Sequence, residues 1–132
     1  MAQNDEVKVL KFSLLVVAII GLIVGLGYFF VPAMMLKLTG GNSVDFALLR
    51  LLGGIFIALG IGTLMVYSKP EKQGIFVFTT ALSQLLAGLG MLYSWIRHEY
   101  VVATWFIAVT TCLILVMSAL VFWGRSKAKG IL

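Results

Sequence analysis

Cysteine and histidine each occur once in these 132 residues, proline twice, and acidic side chains only five times. Each scarcity excludes something. One cysteine forms no internal disulfide and no Cys-x-x-Cys redox pair. One histidine and one cysteine do not complete the roughly four ligands of a structural zinc site. A bis-histidine membrane haem would need its second ligand from another subunit. No Gly-rich phosphate loop ending in Lys and Ser/Thr occurs. Charged residues of either sign make up only 11% of the chain, against 61% apolar. Ordinary soluble domains are about 25% charged and 45–50% apolar. A chain this short hides only about two-thirds of its unfolded surface, so a soluble globule is excluded, and so is a disordered chain. The mean hydropathy of +1.10 agrees. The expectation is an integral membrane protein.

What is there is four apolar runs, 12–31, 46–67, 75–96 and 100–123. Each reaches the roughly 20 residues that carry a helix across about 30 Å of hydrocarbon. Barrel strands are shorter and alternate polar with apolar. Backbone groups in lipid must be satisfied within the segment, which makes such runs helices. The expected fold is therefore all-α: one domain over 1–132, with four transmembrane helices in an up-down bundle.

The breaks carry turn chemistry. Pro32 follows the first run, and Met34, Met35, Leu36 and Leu38 form a turn of interfacial helix ending at Gly40. Asn42 or Ser43 caps the second span, and Asp45 in its first turn complements the helix dipole. Ser68–Gly74 separates the second and third spans. Arg97-His98-Glu99 is so short that the third and fourth must be antiparallel neighbours. The first run exceeds the 7–15 residues of a signal-peptide core, so it is read as a retained helix.

Orientation follows from the basic residues. Lys8, Lys11, Lys69, Lys72, Arg125, Lys127 and Lys129 fall on one side, and Lys37, Arg50 and Arg97 on the other. This bias places both termini and the middle loop in the cytoplasm. Tyr28, Tyr93, Trp95, Tyr100 and Trp105 lie toward the outer interface, Tyr67 and Trp123 toward the inner. The net charge of +5 is thus a topology signal plus attraction to anionic lipid. The basic residues flank spans and form no stripe, so no nucleic-acid partner is expected.

Helices in lipid associate through small residues and polar contacts. The candidate packing residues are Gly21 and Gly25 in the first span and Gly54, Ala58 and Gly62 in the second. Ser83 and Ala87 in the third, and Thr104, Ala108 and Cys112 in the fourth, extend the pattern.

Few polar residues sit at membrane depth. No acidic residue lies inside any run, which argues against proton-coupled export of the small four-helix kind. Arg50, about one turn inside the second span, either snorkels to phosphate or pairs with Asp45 or Glu99, or else binds an anion at the mouth of an outer-facing cavity. Arg97, His98 and Glu99 share its level and would converge on it, with His98 able to titrate near neutrality; alternatively they are a solvated loop. Gln84, mid-way along the third span, either hydrogen-bonds a neighbouring helix or lines a deeper site. Cys112 is read as a buried, inert thiol. The tentative ligand-binding set is accordingly Arg50, Gln84, Arg97, His98, Glu99 and Asp45, with no catalytic residue, metal or cofactor expected.

The run Leu49-Arg50-Leu51-Leu52-Gly53-Gly54, continuing to Ala58-Leu59-Gly60-Ile61-Gly62, resembles the second helix of DoxX-like four-helix membrane proteins. The aromatic-Pro end of the first helix, Phe29-Phe30-Val31-Pro32, resembles theirs too. Similar patterns occur in neighbouring bacterial families of four-span proteins without assigned function. The likeness covers the first two spans. It implies a bacterial inner-membrane protein with some relatives linked to quinone or thiol oxidation, and it transfers no catalytic residue.

The functional expectation is a non-enzymatic accessory or scaffold subunit, as a homo-oligomer or within a larger membrane complex, with the lipid bilayer as its medium. The alternative is a carrier module for a lipid or quinone behind the Arg50 mouth. A third reading is a redox-complex subunit that borrows a cofactor ligand.

Overall fold

The computed structural model describes residues 2–41 and 46–132, with the side chains of 2–4 and 6 left aside. Among the described residues it is all-helical: α1 Ala2–Phe30, α2 Pro32–Leu38, α3 Phe46–Ser68, α4 Gly74–Ile96 and α5 Thr104–Lys127. Four of these, over Val7–Phe30, Phe46–Ser68, Gly74–Ile96 and Thr104–Lys127, are long and apolar enough to cross a membrane, as in a multi-pass membrane protein. Helix α2 is the short helix expected after the first span, with Pro32 in its first turn. The cap expected at Asn42 or Ser43, and Asp45, lie outside the described residues.

Two helix starts differ from the apolar runs by several residues. Helix α1 begins at Ala2, well ahead of residue 12, because Leu10, Ser13, Leu14 and Val17 already form a buried stripe at helical spacing while Lys8 and Asp5 pair on its exposed side at 2.8 Å. Helix α5 begins at Thr104 rather than at Tyr100, since the backbone at Ala103 is extended (φ −62°, ψ 145°) and its N–H donates to the Thr39 carbonyl. That hydrogen bond, 2.9 Å long, ties the end of α2 to the start of α5.

The packing order is α3 on α1, α1 on α5 and α5 on α4, whereas α3 and α4 scarcely meet despite the short turn between them. Backbone proximity sets this order. A Cβ on Gly53 would lie 2.6 Å from the Phe29 nitrogen and 2.7 Å from the Gly25 carbonyl oxygen, so α1 and α3 are in direct backbone contact there. Gly60 receives Leu22 on the same seam. A Cβ on Gly124 would lie 2.7 Å from the Leu10 Cα, and Ser13 donates to the Leu120 carbonyl, which together join α1 to α5. Gly88 faces Leu115, and Ser118 donates to the Ala81 carbonyl at 2.9 Å, joining α4 to α5. The paired positions run in opposite senses along each of these seams.

The ridge expected at Gly54, Ala58 and Gly62 is therefore displaced. The buried face of α3 is Gly53, Gly60, Thr63 and Val66. A Cβ on Gly54 would meet the Phe29 ring at an ordinary 3.7 Å, one on Gly62 would meet the Phe76 ring, and Ala58 is exposed. A Cβ on Gly25 would lie 2.9 Å from the Ile57 nitrogen of α3, and one on Gly21 would stand 3.8 Å from the Phe56 oxygen. Ser83 and Ala87 are exposed on α4, not turned into the bundle.

The densest packing gathers at the end that holds the two termini and the α3–α4 turn. There Leu10, Leu14, Val17, Val66, Val77, Ala81, Met117, Val121 and Ala128 form one buried cluster drawn from all four long helices.

Candidate functional site

The polar residues at the opposite end start from the way α4 stops. His98 takes a left-handed backbone (φ 56°), its N–H donating to the Trp95 carbonyl while the Glu99 N–H donates to that of Ser94. These are the two hydrogen bonds of a Schellman cap, whose left-handed residue is usually glycine. Gly40 ends α2 in the same way (φ 65°), with Gly41 donating to Leu36 and Gly40 to Lys37. His98 thus works as a helix terminator. Its ring is exposed and lies 6.3 Å from that of Tyr100. We expect His98→Gly to raise stability by about 1 kcal/mol by removing the left-handed penalty. Unfolding in mixed detergent micelles measures it, and a clear loss of stability would instead assign the imidazole a contact of its own.

The cap throws Arg97 and Glu99 together, with Nε 3.4 Å from Oε1 and both side chains more than half exposed. Such a pair contributes at most about 1 kcal/mol. The wider convergence does not form. Arg50 is exposed on α3 and has no hydrogen-bond or ion-pair partner among the described residues. The physical reason is the packing order: the Gly25–Gly53 contact commits α3 to α1, while Arg97 and Glu99 ride at the end of α4, which α3 barely touches. Asp45 lies outside the described residues. Of the five expected ligand-binding residues that are described, the structure joins Arg97 to Glu99 and no others.

At mid-depth, Gln84 is half-buried on α4 and its side-chain amide has no partner among the described residues. Thr111, fully buried on α5, also has an unpartnered hydroxyl. Other hydroxyls are satisfied: Ser13 by the Val9 and Leu120 carbonyls, Thr63 by Leu59 and Ser118 by Ala81. Cys112 is exposed on α5 and so is not the buried thiol expected, because the buried stripe of α5 runs through Ile107, Thr111 and Ser118. No group of three or more His, Cys, Asp or Glu side chains able to hold a metal occurs among the described residues.

Sequence reasoning missed a cleft at the other end, where Lys72 and Arg125 meet the start of α4. In the sequence both residues read only as orientation charges. The available signal was that each flanks a span on the same side.

Comparison with known proteins finds no matching family model, no matching curated protein and no matching solved structure. The DoxX-like resemblance accordingly rests on its residues alone.

Proposed function

We propose that this chain is a non-enzymatic, four-span membrane subunit that associates laterally, with itself or within a larger complex, through one face of α4. The observation behind this is a stripe of small residues on the outside of that helix. Thr79, Ser83, Ala87 and Gly90 share a face at helical spacing and all are exposed. A Cβ added to Gly90 would meet nothing within 4 Å. Lipid-facing surfaces gain nothing from small side chains, whereas a neighbouring helix approaches closely only where they line up. Thr79 and Ser83 return their hydroxyls to the Ile75 and Thr80 carbonyls, leaving the face smooth. Gln84 stands beside this stripe with a free amide, and a partner helix would satisfy it.

In this reading the helices run up and down across a bacterial inner membrane with both termini cytoplasmic. The bias of basic residues and the resemblance to DoxX-like proteins support that placement. The carrier alternative draws no support from Arg50, which has no partner among the described residues, and nothing favours a borrowed redox cofactor.

Native mass spectrometry from mild detergent tests the proposal. Wild type is expected as a defined multiple of the chain or as a complex with other polypeptides. Gly90→Leu and Ala87→Leu, placed where the chain's own fold has room, are expected to release the single chain with its thermal unfolding unchanged. Wild type found as a single chain, or variants that assemble as wild type does, would sink it.

A further inference from the structure

The cleft at the termini end has the makings of a second, independent site. It encloses about 400 Å³ between the α3–α4 turn, the first turns of α4 and the end of the chain. Its lining is Lys72, Gly74, Ile75, Phe78, Arg125 and Leu132.

Each wall has a local cause. The turn Pro70–Gln73 is closed by the Gln73 N–H on the Pro70 carbonyl, with Lys72 in the left-handed region (φ 61°). The Lys72 N–H donates to the Ile131 carbonyl at 3.0 Å, which holds the last residues against the turn. Leu132 then touches Gly74, where an added Cβ would meet it at 3.3 Å. Across the cleft, the Arg125 guanidinium stacks over the Phe78 ring, 5.3 Å from its centroid, and Phe122 holds that ring edge-on.

The charged side chains of the lining, Lys72 and Arg125, are both cationic. Among the described residues neither makes an ion pair, and Glu71, the nearest acidic residue in sequence, is exposed and joins neither. The Arg125 Nε is buried and has no acceptor. A cationic N–H without an acceptor in a dry position is the kind of group an arriving anion satisfies, and the planar guanidinium suits phosphate oxygens best. The first turn of α4 adds its open N–H groups, since it carries no side-chain cap and no acidic residue.

The depth of the cleft selects among anions. Lys72 belongs to a polar turn, while Ile75 and Phe78 already belong to the apolar span Gly74–Ile96. Ile75 is the most exposed of the large apolar side chains, at 86%. The cleft thus straddles the boundary between water and hydrocarbon, where lipid phosphates lie.

From these features we infer that Lys72 and Arg125 form a binding site for one phosphate group at the membrane surface, with Ile75 and Phe78 offering an apolar track for an attached acyl chain. The site does not depend on the lateral association proposed above, because it lies at one end of the bundle and uses none of the α4 stripe residues.

The test uses the full chain reconstituted in nanodiscs of phosphatidylcholine alone or mixed with phosphatidylglycerol, with lipid retention read by native mass spectrometry. Wild type is expected to retain one phosphatidylglycerol in preference to phosphatidylcholine. Lys72→Gln and Arg125→Gln are each expected to weaken that retention about five-fold, the effect of one cation near an anionic headgroup. Arg125→Lys, which keeps the charge but loses the planar fork, is expected to fall between. Lys129→Gln removes an equal charge from an exposed position outside the cleft and should change nothing. Inorganic phosphate, titrated into phosphatidylcholine nanodiscs and followed by ³¹P NMR, distinguishes the source. Binding of both probes, each weakened by Lys72→Gln, marks a general phosphate site; binding of phosphatidylglycerol alone marks a headgroup site that needs the acyl chain. Equal losses in Lys129→Gln and Lys72→Gln would mean diffuse surface attraction and overturn the inference. So would the absence of preference for either probe. Lys72 is exposed on a turn, so its variant keeps the test valid even where Arg125→Gln fails to fold.

Discussion

Gly53→Ala is expected to destabilise the protein by about 2–3 kcal/mol, while Gly54→Ala next to it should be neutral or slightly stabilising. The contrast follows from where one methyl group would go. At Gly53 it lands 2.6 Å from the Phe29 nitrogen and 2.7 Å from the Gly25 oxygen, and neither is a side-chain tip that can swing away. The α1 backbone must retreat, and the neighbouring contacts of Gly60 with Leu22 open with it. At Gly54 the same methyl meets the Phe29 ring at 3.7 Å, ordinary van der Waals contact, and alanine gains up to about 1 kcal/mol of helix propensity over glycine. Unfolding in mixed micelles with increasing denaturing detergent measures both. Equal responses at the two positions would show that α1 and α3 do not cross at Gly53. Gly25→Ala provides the reciprocal check, since its added Cβ would stand 2.9 Å from the Ile57 nitrogen and 3.0 Å from the Gly53 oxygen.

Leu14→Ala is expected to cost about 2 kcal/mol, and Leu89→Ala close to nothing. Leu14 is wholly buried in the cluster that gathers Val66 of α3, Val77 and Ala81 of α4, and Met117 and Val121 of α5. Lipid is as apolar as leucine, so the transfer from water that dominates soluble cores is largely missing between helices in a bilayer. What remains is the void, at about 24 cal/mol per Å³ of unfilled cavity. Leu89 is 47% exposed on α4, and lipid fills the space its truncation leaves. The same denaturation series compares the two. A larger loss at Leu89 would place the packed region at the other end of the helices.

The two predictions also show which parts of the molecule can be read from sequence. The membrane class, the four long helices and the short helix after Pro32 follow from apolar length and turn chemistry, and each is set within one segment. Facing is different. In a soluble helix the polar side marks the outside, but here nearly every position of a span is apolar and that mark is absent. Gly53 and Gly54 are adjacent in sequence and about 100° apart around the helix, and only the crossing with α1 decides which one is indispensable. The same holds for Ser83 and Ala87, small enough for an interior seam and yet left outside because α4 turns Val77, Ala81 and Gly88 toward its neighbours.

The candidate sites divide along the same line. That Arg97, His98 and Glu99 form a polar connection was legible, because three such residues break an apolar pattern. Their separation from Arg50 was not, because it depends on α3 choosing α1 over α4. His98 carried no sequence signal of its left-handed cap, a place that glycine fills at Gly40. Lys72 and Arg125 lie far apart in the chain and read as separate topology charges. The fold-back of the last residues onto the α3–α4 turn, and the stacking of Arg125 on Phe78, make them one cleft. Composition and run length alone thus determined that this chain enters a membrane and how many helices are long enough to cross it. Tertiary structure decided which helices touch and which polar groups meet, because close approach between apolar helices turns on single methyl groups that hydropathy does not distinguish.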